Sequence, residues 1–228
     1  VLLNLINRPD IFPCGTEKGS KEEIEVAKQL KSTTFPSGSL FNAVAEKQVK
    51  LPFDDSLLIC ADLGTECADF IAANTDSKSM ALIHVKAGSG RKISASAFHD
   101  VVSQAMKNLV YLSKNEEVPK GVNSWLPNSN WNRTGIPRLF FFFFKLPSGK
   151  NLWNKLKSDI IGSSNPNLHV ILVTTGCCNL DELRKVTKNP RLRTPETAQL
   201  FHLLDGLNGY ARQLGVRVQI YDVPYKPE

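Results

Sequence analysis

Apolar and polar positions divide the chain into an early block of short strands and a later alternation of helices with strands. Ser20 followed by Glu23 has the spacing of a capping box, and Ile24, Ala27 and Leu30 recur behind it at helical intervals, so a helix is expected over residues 21–32. Phe35-Pro36-Ser37-Gly38 breaks that pattern, and residues 40–46 add a short second helix. Three apolar runs follow at 56–61, 67–73 and 80–85, separated by turn residues at Gly64 and at Asn74-Thr75-Asp76-Ser77; they read as strands in succession. The helical pattern is clearest over 94–112, where Phe98, Val101, Val102, Ala105, Met106 and Leu109 form one stripe.

Residues 113–137 are polar, rich in Asn and interrupted by Pro, with Trp125 and Trp131 embedded, and read as a long surface insertion. Five consecutive phenylalanines predict a strand over 139–145 buried on both faces. Helical stretches at 153–161, 179–186 and 195–214 then alternate with strands at 168–174 and 216–221, and Gly215 stands in the C-cap region of the last helix. An antiparallel meander feeding a crossover helix, then strands alternating with helices, gives one α/β domain built on a central mixed sheet covered on both faces. In this division residues 1–20 are a lead-in loop, 21–112 the core, 113–137 the insertion, and 138–228 the closing strands and helices.

Composition narrows the setting. No apolar run reaches the ~20 residues that a membrane-spanning helix needs, so no membrane partner is expected. Lysine and arginine number 28 against 22 acids, a net charge of +6 that suits a polyanionic partner. Five cysteines, an odd count with no CxxC pair, argue against a disulfide framework or a structural zinc site and fit a reducing cytoplasm. The chain begins at Val1 rather than at methionine and reads as an excised part of a longer protein, with further domains or subunits expected around it.

The residues that carry chemistry gather between Leu57 and Lys86. Asp62 closes the first predicted strand, Glu66 opens the second, and Asp69 stands inside it between Ala68 and Phe70, where an acid is costly unless it has a partner. The third strand ends in His84-Val85-Lys86. Carboxylates are the hard ligands that Mg²⁺ prefers, and a strand-end carbonyl such as that of Val85 can join them. A divalent cation neutralises phosphate oxygens and activates water, and a lysine beside that water can orient it or accept its proton. Acids on one strand and a lysine at the end of the next therefore suggest a site that cuts phosphodiesters. Gly88-Ser89-Gly90-Arg91-Lys92 lacks the spacing of a nucleotide-binding phosphate loop, and His99, His169 and His202 have no supporting context; each reads as structural.

This arrangement resembles the core of the PD-(D/E)xK nucleases, the superfamily of restriction endonucleases, Holliday-junction resolvases and RecB-type exonucleases. The resemblance covers residues 20–112, with Asp69 at the metal-binding aspartate and His84-Val85-Lys86 at the (D/E)xK tripeptide. It implies a restriction-endonuclease-like three-layer α/β/α fold and a Mg²⁺- or Mn²⁺-dependent endonuclease acting on DNA in prokaryotic restriction, repair or anti-phage defence. It further implies catalytic roles for Asp69, His84, Lys86 and Gln104, the last resembling the helical glutamine of RecB-like members. Glu25, or its neighbour Glu22, would be the acid from the first helix, with Asp62 and Glu66 supplying further metal ligands. Arg91, Lys92 and Lys107 flank the site and are expected to contact phosphates. RNA is not excluded as substrate, and a homodimer would serve cutting of both strands. The departure is His84, which stands where the pattern has an acid; imidazole suits Mn²⁺ or Zn²⁺ better than Mg²⁺. The alternative is a non-catalytic nucleic-acid-binding or interaction module on a degenerate nuclease fold.

Overall fold

A computed structural model describes residues 4–64, 66–90, 93–114, 117–140 and 147–226. Its centre is a mixed seven-stranded sheet whose strands lie in the order β1 (Asn4–Asn7), β7 (Val216–Val223), β6 (Asn167–Thr175), β4 (Ser79–Ala87), β3 (Phe70–Asn74), β2 (Leu57–Cys60), β5 (Leu139–Phe140). The predicted meander forms from β2 (Leu57–Cys60), β3 (Phe70–Asn74) and β4 (Ser79–Ala87), all antiparallel. Asn74 makes the turn between the last two, its side-chain oxygen accepting the amides of Asp76 at 2.9 Å and Ser77 at 3.0 Å. From β4 the chain crosses over through α3 (Ala95–Asn108) to β6 (Asn167–Thr175), which pairs with β4 in parallel from Ser79↔Asn167 to Ala87↔Thr175. On the far side of β6 lies β7 (Val216–Val223), again parallel.

The remaining elements are α1 (Lys21–Gln29), α2 (Leu40–Ala45), α4 (Gly149–Leu156), α5 (Leu180–Lys188) and α6 (Pro195–Gln213). Their ends follow local chemistry. The Ser20–Glu23 capping box opens α1, and Thr194 with Pro195 opens α6. Gly215, at φ +71°, turns the chain from α6 into β7.

Alternation along β4 sorts the core into two clusters, one on each face of the sheet. Met80 and Leu82 pack with Phe98, Val102 and Leu204 on the side of α3 and α6. Ala81, Ile83 and Val85 pack with Phe41, Phe70 and Trp131 on the side of α2. There Phe41 meets Phe70 edge-on at 4.8 Å, and Phe35 meets Trp131 at 5.1 Å. By the same alternation His84 and Lys86 follow Leu82 onto the α3 face.

Four expectations change. The lead-in contains a strand, β1 (Asn4–Asn7), which pairs in parallel with β7 at one edge of the sheet. At the opposite edge the phenylalanine run contributes β5 (Leu139–Phe140), half-buried at Phe140 and paired with β2; residues 141–145 of the predicted strand lie outside the described residues. Leu30, expected on the buried stripe of α1, is 73% exposed, because α1 ends at Gln29 and the chain turns away. The polar insertion, expected to lie over the surface, is held down by Trp125 and Trp131, both buried, which anchor it to the two core clusters. No helix among the described residues is long and apolar enough to cross a membrane, and all five cysteines are free and buried.

Candidate metal centre

The meander brings Asp62, Glu66 and Asp69 to one end of the sheet. One carboxylate oxygen of each lies within 4.8 Å of the others. Asp69 immediately precedes β3, and its Oδ2 accepts the Val85 amide at 2.8 Å. Its own amide donates to the carbonyl of Ile83 at 3.1 Å, one residue out of step with the Phe70↔Ile83 pairing. The ladder thus stops at Phe70, and the Asp69 side chain takes the next amide of β4 in place of a backbone carbonyl. A strand residue projects its N–H and C=O to the same edge, as pairs that exchange both bonds show. The Val85 carbonyl therefore faces the same unladdered gap as the carboxylate.

Burial pushes the Asp69 carboxyl up to about 7; the Val85 amide and Lys18 oppose the rise, and Asp62 and Glu17 add to it. Asp62 follows β2 and is held from both sides. Its Oδ1 is 2.9 Å from Lys18 Nζ, and its Oδ2 accepts the Trp131 indole N–H at 2.7 Å. Arg138 steadies the backbone there, donating to the carbonyls of Cys60 and Asp62, each at 3.1 Å. Glu66 accepts the Leu63 amide at 3.2 Å, closing the turn that Gly64 makes at φ +80°.

Glu66 and Asp69 line a cavity of about 60 Å³ shared with His84, Gln104 and Lys107. That is space for one or two waters. His84 is 1% exposed, and its Nε2 has no hydrogen-bond partner. Burial drives its pKa down to about 4, so the ring is neutral at pH 7. Its nitrogens do not join the acidic group, which among the described residues consists of the three carboxylates alone.

Lys86 points elsewhere. Its Nζ lies 3.4 Å from Glu17 and 3.8 Å from Asp100, beside a recess lined by Ser94 and Ala97. Glu17 Oε1 also accepts the Ala87 amide at 3.4 Å, and its backbone carbonyl accepts the Phe41 amide at 2.9 Å, fixing the segment before α1 against the sheet.

Of the residues singled out in the sequence, Asp62, Glu66 and Asp69 converge, with the Val85 backbone beside them. His84, Gln104 and Lys107 border the adjoining cavity, Gln104 and Lys107 from exposed positions on α3. Glu25 does not converge: its carboxylate is 62% exposed on α1 and pairs with Lys28 at 2.6 Å. The acid from the N-terminal region that reaches the lysine is Glu17. Arg91 and Lys92 lie outside the described residues.

Glu17, Lys18, Trp131 and Arg138 were not assigned to this site from the sequence. No periodicity marks Glu17 and Lys18, and Trp131 is separated from Asp62 by 69 positions. Trp131→Phe keeps the ring among Phe35 and Phe41 but removes the indole donor from Asp62. It is expected to cost about 1–3 kcal/mol, the penalty for orphaning a largely buried charged acceptor, read by urea denaturation. Unchanged stability would mean that water replaces the indole at no cost.

The donor set fits a hard divalent cation such as Mg²⁺ or Mn²⁺: oxygen ligands only, with Lys18 the one cation within 4.0 Å of any of the three carboxylates among the described residues. Compared with known proteins, the chain matches no family model, no curated protein and no solved structure.

Proposed function

We propose that the protein is a metal-dependent endonuclease of the PD-(D/E)xK type, with a three-layer restriction-endonuclease-like fold, that hydrolyses phosphodiester bonds in DNA. The observation that carries this reading is the convergence of three carboxylates where the β3–β4 ladder breaks, beside the strand that ends in Lys86. The element order supports it as well, since a capped helix, a meander and the helix α3 after it follow the core that the resemblance implies, with β6 added in parallel beside β4 after the insertion, β5 and α4. A bound divalent cation would offset phosphate charge and make water nucleophilic at neutral pH.

The chain's own residues then divide the work. Asp62, Glu66 and Asp69, with the Val85 carbonyl, hold the cation. Asp62 and Glu66 supply the charge that His84 does not, so an oxygen ligand set suited to Mg²⁺ survives the substitution in the tripeptide. Lys86 orients water or accepts its proton, after exchanging its contacts with Glu17 and Asp100 for substrate. Gln104 and Lys107, at the rim, contact phosphate oxygens.

A second reading, a nucleic-acid-binding module without cleavage, is favoured by that same engagement of Lys86 with two acids. Incubation with supercoiled DNA separates the two. Under the nuclease reading the wild type nicks or linearises the plasmid with Mg²⁺ or Mn²⁺, and Lys86→Ala slows cleavage on the order of 100-fold or more, the contribution of a general acid–base group. Binding without Lys86-dependent products in either metal leaves the second reading standing.

A further inference from the structure

Between Arg184 and Arg193 the chain carries five cations, Arg184, Lys185, Lys188, Arg191 and Arg193, and no acid. All five are exposed: Arg184, Lys185 and Lys188 on α5, and Arg191 and Arg193 on and just after the short 3₁₀ turn (Pro190–Leu192) that links it to α6. Two have helical ion-pair partners: Arg184 with Asp181 and Lys185 with Glu182, each at 3.0 Å. Among the described residues Lys188, Arg191 and Arg193 have no carboxylate within 4.0 Å, although Arg193 lies 5.7 Å over the Phe201 ring. Cations in the last turn of α5 complement its dipole, which accounts for Lys185 and Lys188. It does not account for Arg191 and Arg193, which lie beyond the helix.

Topology places this ridge at the catalytic end of the sheet. Strands β4, β6 and β7 are parallel, so Lys86, Thr174 and Asp222 are level with one another. The chain leaves β6 at that end and enters α5 directly. The start of α6 is tied to the start of α3, where the Ala95 amide donates to Glu196 at 3.3 Å, and α3 itself begins just past the end of β4. The segment 190–193, immediately before α6, thus lies on the same end as the acidic cluster.

We infer that Lys188, Arg191 and Arg193 form a docking ridge for the phosphate backbone of duplex DNA. The choice of DNA among polyanions rests on the nuclease reading above. A cluster of carboxylates repels a nucleic acid, so affinity has to come from positive charge nearby, and exposed cations without a carboxylate partner can release counterions from the duplex. Contacts of this kind position the duplex and carry no sequence preference.

The test is binding of a fluorescein-labelled duplex, followed by anisotropy over a range of salt concentrations in EDTA, where nothing is cleaved. The triple variant Lys188→Ala, Arg191→Ala, Arg193→Ala is expected to bind on the order of 10–100-fold more weakly at low salt. The slope of log K against log [salt] should fall by roughly 2–3, close to one per lost phosphate contact. Because the three side chains are exposed and give up only a helix-end charge and the Phe201 contact, its thermal midpoint should fall by no more than a few degrees, so weaker binding is not loss of fold. Asp69→Asn serves as the contrast and should bind at least as well as wild type. The ridge is overturned if the triple variant keeps both affinity and slope. It is also overturned if the wild type ignores the duplex but uses these residues to bind phosphatidylglycerol vesicles. Wild type that binds through the ridge and never cuts refutes the nuclease reading and leaves the ridge in place.

Discussion

Asp69→Asn is expected to slow DNA cleavage severely and, without added divalent cation, to make the protein more stable than wild type above pH 7. The carboxyl is 8% exposed, and burial has raised it from an ordinary 3.8 to about 7. A group whose folded value lies above its unfolded value contributes stability that is fully present below 3.8 and is lost as pH rises through 7. Above that pH the ionised side chain therefore weighs against the fold, on the order of 4 kcal/mol at ~1.4 kcal/mol per pH unit. Asparagine removes that charge, and its side-chain oxygen still accepts the Val85 amide. A saturating divalent cation should narrow the gap by stabilising wild type alone, about 2.7 kcal/mol at a hundred times the dissociation constant. Loss of a metal ligand removes several kcal/mol of transition-state stabilisation, so cleavage should fall on the order of 10³-fold. Urea denaturation above pH 7 and near pH 4, with and without Mg²⁺, reads the stability side. Equal stability at both pH values and an equal response to Mg²⁺ would show that Asp69 neither carries the strain nor holds the cation.

The elements of the fold were legible where a local rule sufficed. The Ser20–Glu23 box, the stripe on α3 and the turn at Asn74 are each specified by neighbours within one helical turn or one hairpin, and each element formed, although α1 stops three residues short of the expected end. What failed was decided at long range. The strand β1 has four residues and no alternation to announce it; it exists because β7 offers an unpaired edge. Trp125 and Trp131 looked like loop residues because their burial comes from packing under distant elements.

The site divides along the same line. Asp62, Glu66 and Asp69 were legible because a hairpin closes the distance between them, and sequence separation is then a good guide to space. Glu25 was misplaced because a helix pattern gives its face but not its distance from the sheet end. Glu17 and Lys18 belong to the site through a loop whose path is set by the bridges Thr16↔Ser39 and Cys14↔Tyr225, which no local pattern encodes. The arrangement that results is electrostatically frustrated. Three acids have one lysine as a close counter-charge, a second lysine is drawn off by Glu17 and Asp100, and a neutral histidine beside the acids leaves its Nε2 without a partner. Sites that trade stability for activity are built this way.

His84→Leu exposes that trade most directly and is expected to raise stability below pH 6.5 while lowering cleavage. The imidazole is 1% exposed, follows Met80 and Leu82 onto the α3 face, and leaves Nε2 without a partner. Its folded value is depressed from 6.5 to about 4, so the stability it permits is present above pH 6.5 and is lost as pH falls toward 4. Over that window the loss amounts to about 3 kcal/mol, at ~1.4 kcal/mol per pH unit. His169, depressed to about 4 in the same direction, adds a similar loss and remains in the variant. Asp69 and Asp222, both raised to about 7, work in the opposite sense as they take up protons. Wild-type stability on the acid side is therefore a difference between two opposed pairs, and only comparison with the variant isolates His84. Leucine fits the apolar face and removes a buried polar atom that has nothing to bond, so no penalty is expected at neutral pH. Urea midpoints for both proteins between pH 7 and pH 4 should diverge steadily as pH falls, with the variant the more stable. Parallel curves would mean that His84 takes up its proton in the fold as readily as in the unfolded chain. A variant that is stabilised yet cleaves at the wild-type rate would remove His84 from the site and leave it a tolerated cost of the core.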